Sequence, residues 1–111
     1  MKSHFYVIFK EELAQREFDP RETMQWLTRD TVVTMSWGFH SPKNWENKGL
    51  LFKVNGALHK GFVCITLGWN DTYTVTLLNN QYNLTQEPIT DIYCDELQYR
   101  VDILVETKET P

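Results

Sequence analysis

ITLGWNDTYTVTLLN, residues 65–79, decides the fold. Val63, Ile65 and Leu67 lead into a Gly-Trp-Asn-Asp step, and Tyr73, Val75 and Leu77 leave it. Side chains alternate faces along a strand, so each apolar trio shares one face. Thr72, Thr74 and Thr76 fall on the opposite face, which the pattern marks as the wetter one. Gly68, Asn70 and Asp71 supply turn chemistry between the two runs. The stretch predicts an antiparallel hairpin with one buried side. Trp69 is the residue of the step that a turn does not demand.

A lone hairpin is marginal in water, so neighbouring strands and a covering layer must complete it. Leu50–Val54 predicts a strand, and Asn55-Gly56 after it suits a type I′ turn. The next apolar run resumes only at Phe62. Either that turn is wider, or a strand starts at Ala57 and bulges near Gly61. Thr31–Trp37 also alternates, with Val33, Met35 and Trp37 on one face, and predicts the first strand. Gly38–Gly49 contains Pro42, Asn44 and Asn47 and predicts a loop. Asn79–Pro88 predicts a polar link.

Helices flank this block. Asp19-Pro20-Arg21-Glu22 is a start signal: an N-cap acceptor, a proline where its missing N–H costs nothing, and a glutamate placed to close a capping box. It predicts a helix from Pro20 to Leu27 or Thr28 that buries Met24 and Leu27. Phe5, Ile8, Phe9 and Leu13 follow helical spacing and favour a helix over residues 5–17, while Phe5–Phe9 also reads as a strand by composition. Tyr93, Leu97, Val101 and Leu104 form a stripe, broadened by Cys94 and Val105. Asp91, Asp95 and Glu96 at its start suit the helix dipole, so a last helix is expected from Asp91 to about Glu106. The economical assembly is α+β: a four-stranded antiparallel meander sheet with N-terminal and C-terminal helices packed on one face.

The chain has 111 residues, which suits a single domain, 1–111. At 41% hydrophobic it is not a disordered composition. At 14% aromatic, rings must either build much of the core or remain outside for a partner. No apolar run approaches the roughly 20 residues of a membrane span. The Phe5–Phe9 patch is too short for a signal-peptide core, so a cytoplasmic protein is expected and no membrane partner. In that setting Asn70-Asp71-Thr72 and Asn83-Leu84-Thr85 are not glycosylation sites. Cys64 and Cys94, without a CxxC partner, are expected to be buried thiols.

The formal net charge of −4 argues against an overall nucleic-acid binder. The charge is uneven. Residues 41–60 carry four lysines against Glu46, a balance of 4 − 1 = +3, and residues 87–111 carry 2 − 7 = −5. Catalytic chemistry finds little support. The histidines lack HxH or HExxH spacing, and there is no P-loop, GxGxxG or GxSxG. An enzyme would have only His40, His59 and Cys64 to propose. No catalytic residue, metal or cofactor is assigned, and the chain is read as a non-enzyme.

The runs ETMQWL, TVVTMSW, LLFKV, ITLGWNDTYTVTLL and DIYCDELQ resemble a group of small uncharacterised proteins of phages and integrated mobile elements of gut bacteria. The resemblance covers about residues 22–105, with the hairpin as its most specific part, and makes residues 1–18 an N-terminal addition. It implies a phage or mobile-element setting and no activity. The rings are the better functional clue. Trp37, Phe39, Trp45 and Trp69, with Lys43 and Lys48, form the candidate binding set. They are expected at one wet rim of the sheet, meeting a host- or element-encoded protein, for example as an anti-defence inhibitor. A homodimer through a sheet edge or this patch is a second option. The alternative is a nucleic-acid or small-ligand module using the aromatic and lysine segment Trp37–Lys60.

Overall fold

The computed structural model describes residues 16–106. The element order is α1 (Pro20–Leu27), α2 (Thr31–Ser36), β1 (His40–Trp45), β2 (Gly49–Asn55), β3 (Lys60–Leu67), β4 (Tyr73–Leu78), β5 (Ile89–Ile92) and α3 (Leu97–Val105). A 3-10 turn, Cys94–Glu96, leads into α3. The strands form one antiparallel sheet in the order β1-β2-β3-β4-β5. The fold is α+β with an antiparallel meander, as the alternation predicts, but with five strands instead of four. The helix expected over residues 5–17 lies outside the described residues, save Arg16 and Glu17, which are not helical.

The hairpin at the centre forms as its sequence dictates. β3 and β4 pair from Phe62↔Leu78 to Leu67↔Tyr73, so Ile65 faces Val75 across the ladder. Asp19 caps α1, accepting from the Arg21 amide, and Pro20 opens the helix. The Asn55-Gly56 turn is the wider alternative: Asn55 pairs with Lys60, and Gly56 N–H donates to the His59 carbonyl. Gly56 is needed there for closeness. A Cβ would lie 2.4 Å from the Val105 carbonyl oxygen, because this loop covers the end of α3. Leu58 and His59 donate their amides to that same oxygen, and Ala57 donates to the Glu106 carboxylate.

Thr31–Trp37 is not a strand. Asp30 stands at an N-cap and accepts from the amides of Val32 and Val33, so the segment coils into a short helix despite its β-branched residues. Helical spacing then turns Thr34 and Trp37 inward and leaves Val32 78% and Met35 74% exposed. A strand would have placed Met35 beside Trp37. The helix is held by α3: the Gln98 side-chain amide donates to Leu27 O, Asp30 O and Thr34 Oγ1, and its oxygen accepts from Asp30 N. One turn along, Asp102 accepts from the Trp37 indole at 2.9 Å.

Gly38–Gly49 is not a loop throughout. Its middle is the edge strand β1, whose register shifts between His40 and Lys43 around Ser41, at φ +56°, and Pro42. An edge strand tolerates proline where a central one cannot. Glu46 and Asn47 both take φ +56° in the tight turn to β2, which an Asn44–Asn47 side-chain pair clasps. The last helix also starts later than its acidic residues suggest. Ile89–Ile92 joins the sheet beside β4, and Tyr93 is exposed instead of joining the stripe, while Leu97, Val101 and Val105 are buried.

The core has two parts. The main one lies between the sheet and the helices, with Leu27, Trp37, Phe52, Val63, Ile65, Val75, Leu97 and Val101 among its members. The second occupies the other face: Leu51, Phe62, Cys64 and Leu78 lie under Trp45, Tyr82 and Leu84. The link 79–88 is therefore a cover. Leu84 bridges to Leu78, Thr85 N–H donates to Leu77 O, and Tyr82 stacks on Phe62 at 4.4 Å. The threonine face is drier than its composition suggests: Thr66, Thr72 and Thr76 are all buried.

Two stability outcomes follow from these contacts. Gln98→Ala strips partners from Leu27 O, Asp30 and Thr34 together, and should cost about 1–3 kcal/mol in urea unfolding. An unchanged midpoint would show that α3 does not hold α2 through this amide. The Thr76 hydroxyl is buried with no hydrogen-bond partner among the described residues. Thr76→Val keeps the shape and removes an unsatisfied group, so it should raise stability by about 1 kcal/mol. A lowered urea midpoint would contradict the burial of a lone hydroxyl.

Candidate functional site: the Trp69 hairpin tip

The four rings of the candidate set do not share a rim. Trp37 is fully buried beneath α3, at the end of β2 where Asn55 N–H donates to the Trp37 carbonyl. Phe39 is half-buried, its ring 4.7 Å from that of Phe52 in the main core. Trp45 lies at the opposite end of β2, half-buried on the second core. Trp69, at the β3–β4 tip, is 74% exposed. The expectation of a wet aromatic rim is corrected: Trp37 and Phe39 build the interior, Trp45 covers the second face, and Trp69 remains. The reason is that both faces of the sheet are apolar and bury these three rings against the two cores.

The same facts bear on which rings of the Trp37–Lys60 segment are accessible. Its rings do not stand interleaved with lysines on a surface, because Trp37 and Phe52 are fully buried. Lys43 is exposed on β1, and Lys53 rests its ammonium 5.1 Å from the Phe62 ring centre. Lys48 belongs to the tip end of the sheet, beside Trp69.

The backbone of the tip is closed by hydrogen bonds of its turn residues. Gly68 N–H donates to Thr72 O, and Asp71 N–H donates to Gly68 O with Asp71 at φ +63°. Asn70 Oδ1 accepts from both the amide and the hydroxyl of Thr72. These bonds close the turn whatever the second residue is. Two hollows border the ring. One, of about 420 Å3, is lined by Arg16, Glu17, Lys48 and Trp69. Here the Arg16 guanidinium sits 6.0 Å from the indole centre and pairs with Asp71. The other, of about 290 Å3, is lined by Gly68, Trp69, Asn70, Thr72, Thr74, Thr90 and Asp91. Thr90 and Asp91 together stand opposite Thr74, because the β4–β5 register shifts between Tyr73↔Ile92 and Val75↔Ile89. Asp91 takes φ +60° at this bulge.

Neither Thr90 nor Asp91 was part of the sequence-derived set. The signal for them is Ile-Thr-Asp-Ile, which alternates like a short strand, whereas the helix expected from Asp91 takes in Asp91 and leaves Ile89 and Thr90 unassigned. Sequence reasoning placed Trp69 on the tip correctly, and the turn residues around it.

The residues considered for catalysis are dispersed. His40 Nδ1 lies 2.7 Å from Gly38 O, and buried His59 directs Nε2 at Phe62 O. Among the described residues no group of three His, Cys, Asp or Glu converges on a metal-sized site. Cys64 is buried on the second face and Cys94 half-buried. Burial pushes the Cys64 thiol up to about 12. The Tyr73 hydroxyl is also raised, chiefly by burial, with an opposing contribution from its hydrogen bond with Thr23. No helix among the described residues is long and apolar enough to cross a membrane.

No protein-family model matches the chain, and neither a curated protein nor a solved structure does.

The raised Cys64 thiol has a measurable consequence. Its neutral form is favoured by folding, so its contribution is present below the ordinary thiol range and is lost as pH rises toward about 12. Iodoacetamide at pH 8 should label Cys94 first and Cys64 only after unfolding, read by mass spectrometry. Native labelling of Cys64 at a free-thiol rate would mean that the second face opens.

Proposed function

We propose that this protein is a non-enzymatic accessory factor that binds a protein partner through the Trp69 tip and modulates it by occlusion. The observation that carries the reading is the 74% exposure of an indole in a turn that closes without it. Burying a tryptophan that already sits on a structured turn costs little ordering, and tryptophan is the residue most enriched among binding hot spots. The flanking Lys48, Arg16 and Asp91 would provide a polar rim around an aromatic centre. The biological setting, a phage or mobile-element product acting on a host- or element-encoded protein such as a defence component, rests on the resemblance of the hairpin and its neighbouring runs.

A homodimer through the sheet edges is the weaker form of this reading. β1 carries Pro42 and a bulge, and β5 has four residues with a bulge of its own, both features that discourage edge pairing.

The test is affinity capture from bacterial lysate with the immobilised protein. Wild type and Trp45→Phe should retain the same partner. Trp69→Ala should lose about 2 kcal/mol of binding, roughly 30-fold, with an unchanged melting temperature. Equal retention by Trp69→Ala would remove the tip as the contact face.

A further inference from the structure

Arg16 already displays one way in which this tip holds a cation. Its guanidinium lies 6.0 Å from the Trp69 ring centre while its charge is paired with Asp71. An indole and a carboxylate thus hold one planar cation between them. The second hollow at the same ring presents the same two groups. Trp69 and Asp91 both line it, together with Thr74 and Thr90. Asp91 accepts from the Thr90 hydroxyl at 3.4 Å and makes no ion pair among the described residues.

The backbone around Asp91 supports a role beyond sheet formation. Thr90 and Asp91 stand against Thr74 alone, and Asp91 is held at φ +60°, a region that non-glycine residues seldom occupy. Bulges of this kind re-aim side chains beside functional sites, and strained residues persist where the surroundings enforce them. The hollow measures about 290 Å3. That is at the foot of the roughly 300–1,000 Å3 range for small-molecule sites, so it suits one inserted side chain better than a separate ligand. The chain as a whole carries −4, which favours approach of a basic segment.

We propose that the Trp69–Asp91 hollow receives an arginine side chain from the partner, with the guanidinium over the indole and its N–H groups on the Asp91 carboxylate. Threonine hydroxyls of Thr74 and Thr90 accept the remaining donors. This rests on the reading that the Trp69 tip is the contact face. Arginine fits better than lysine because its plane can stack and its fork can bridge two oxygens.

The probe is the peptide acetyl-Gly-Arg-Gly-amide, titrated into the 15N-labelled protein, with the citrulline peptide as its uncharged counterpart. The arginine peptide should shift the Trp69 indole N–H and the Thr74 and Thr90 amides saturably, with a Kd on the order of millimolar. The citrulline peptide should leave them in place. Asp91→Asn should weaken the arginine titration roughly two- to fivefold, the range of an exposed ion pair, and 0.5 M salt (about 4 Å of screening length) should weaken it similarly. The proposal is overturned if the arginine peptide produces no shift up to roughly 20 mM, if citrulline binds equally, or if Asp91→Asn changes nothing. Partner capture that needs Trp69 but ignores Asp91→Asn also overturns it while leaving the tip as the contact face. An arginine-selective titration without any Trp69-dependent partner does the reverse.

Discussion

The structure depends on the burial of β3 on both faces. Phe62, Val63, Cys64, Ile65 and Thr66 are all buried in one continuous run, so the strand offers no wet side. Water must be excluded from above and below. The helices cover one face. The other is covered by Trp45 from the edge strand and by Tyr82 and Leu84 from the link after β4. Two covers need large side chains on both faces, and the rings nearest each face supply them. Trp37 and Phe39 go to the helical side, and Trp45 goes to the other.

The helical cover is held by polar contacts as much as by packing. α3 carries Gln98 and Asp102 four residues apart, hence on one side of the helix. The first binds the α1–α2 connection through Leu27 O, Asp30 and Thr34, and the second takes the indole N–H of Trp37. Buried polar groups are costly unless paired, and these pair with one another across more than sixty residues of chain. The far end of α3 is closed just as closely, by the loop in which Gly56 leaves room for the Val105 carbonyl. These contacts explain why the helices cannot shift to expose Trp37.

The tip draws on other contacts. Its turn is closed by Gly68, Asn70, Asp71 and Thr72, and its indole lies beside the Arg16 guanidinium with most of its surface exposed. That exposure gives the indole its meaning. The register shift on β5 sets Asp91 among the residues that line the hollow at this ring.

The sequence by itself determined the β3–β4 hairpin, the start of α1 at Asp19-Pro20 and the place of a tryptophan at the tip. Each is a local decision, made by alternation, a cap or turn residues within a few positions of one another. Tertiary structure decided the rest. Val32-Val33-Thr34-Met35-Ser36-Trp37 reads as a strand by propensity, yet is a helix because Asp30 caps it and because Gln98 and Asp102 meet it from far along the chain. Ile89–Ile92 and His40–Trp45 became strands because the sheet had open edges for them. Asn79–Pro88 became a cover because Phe62 and Leu78 needed one. Which rings stay wet was equally invisible, since exposure belongs to a pair of surfaces and a sequence records only one residue at a time.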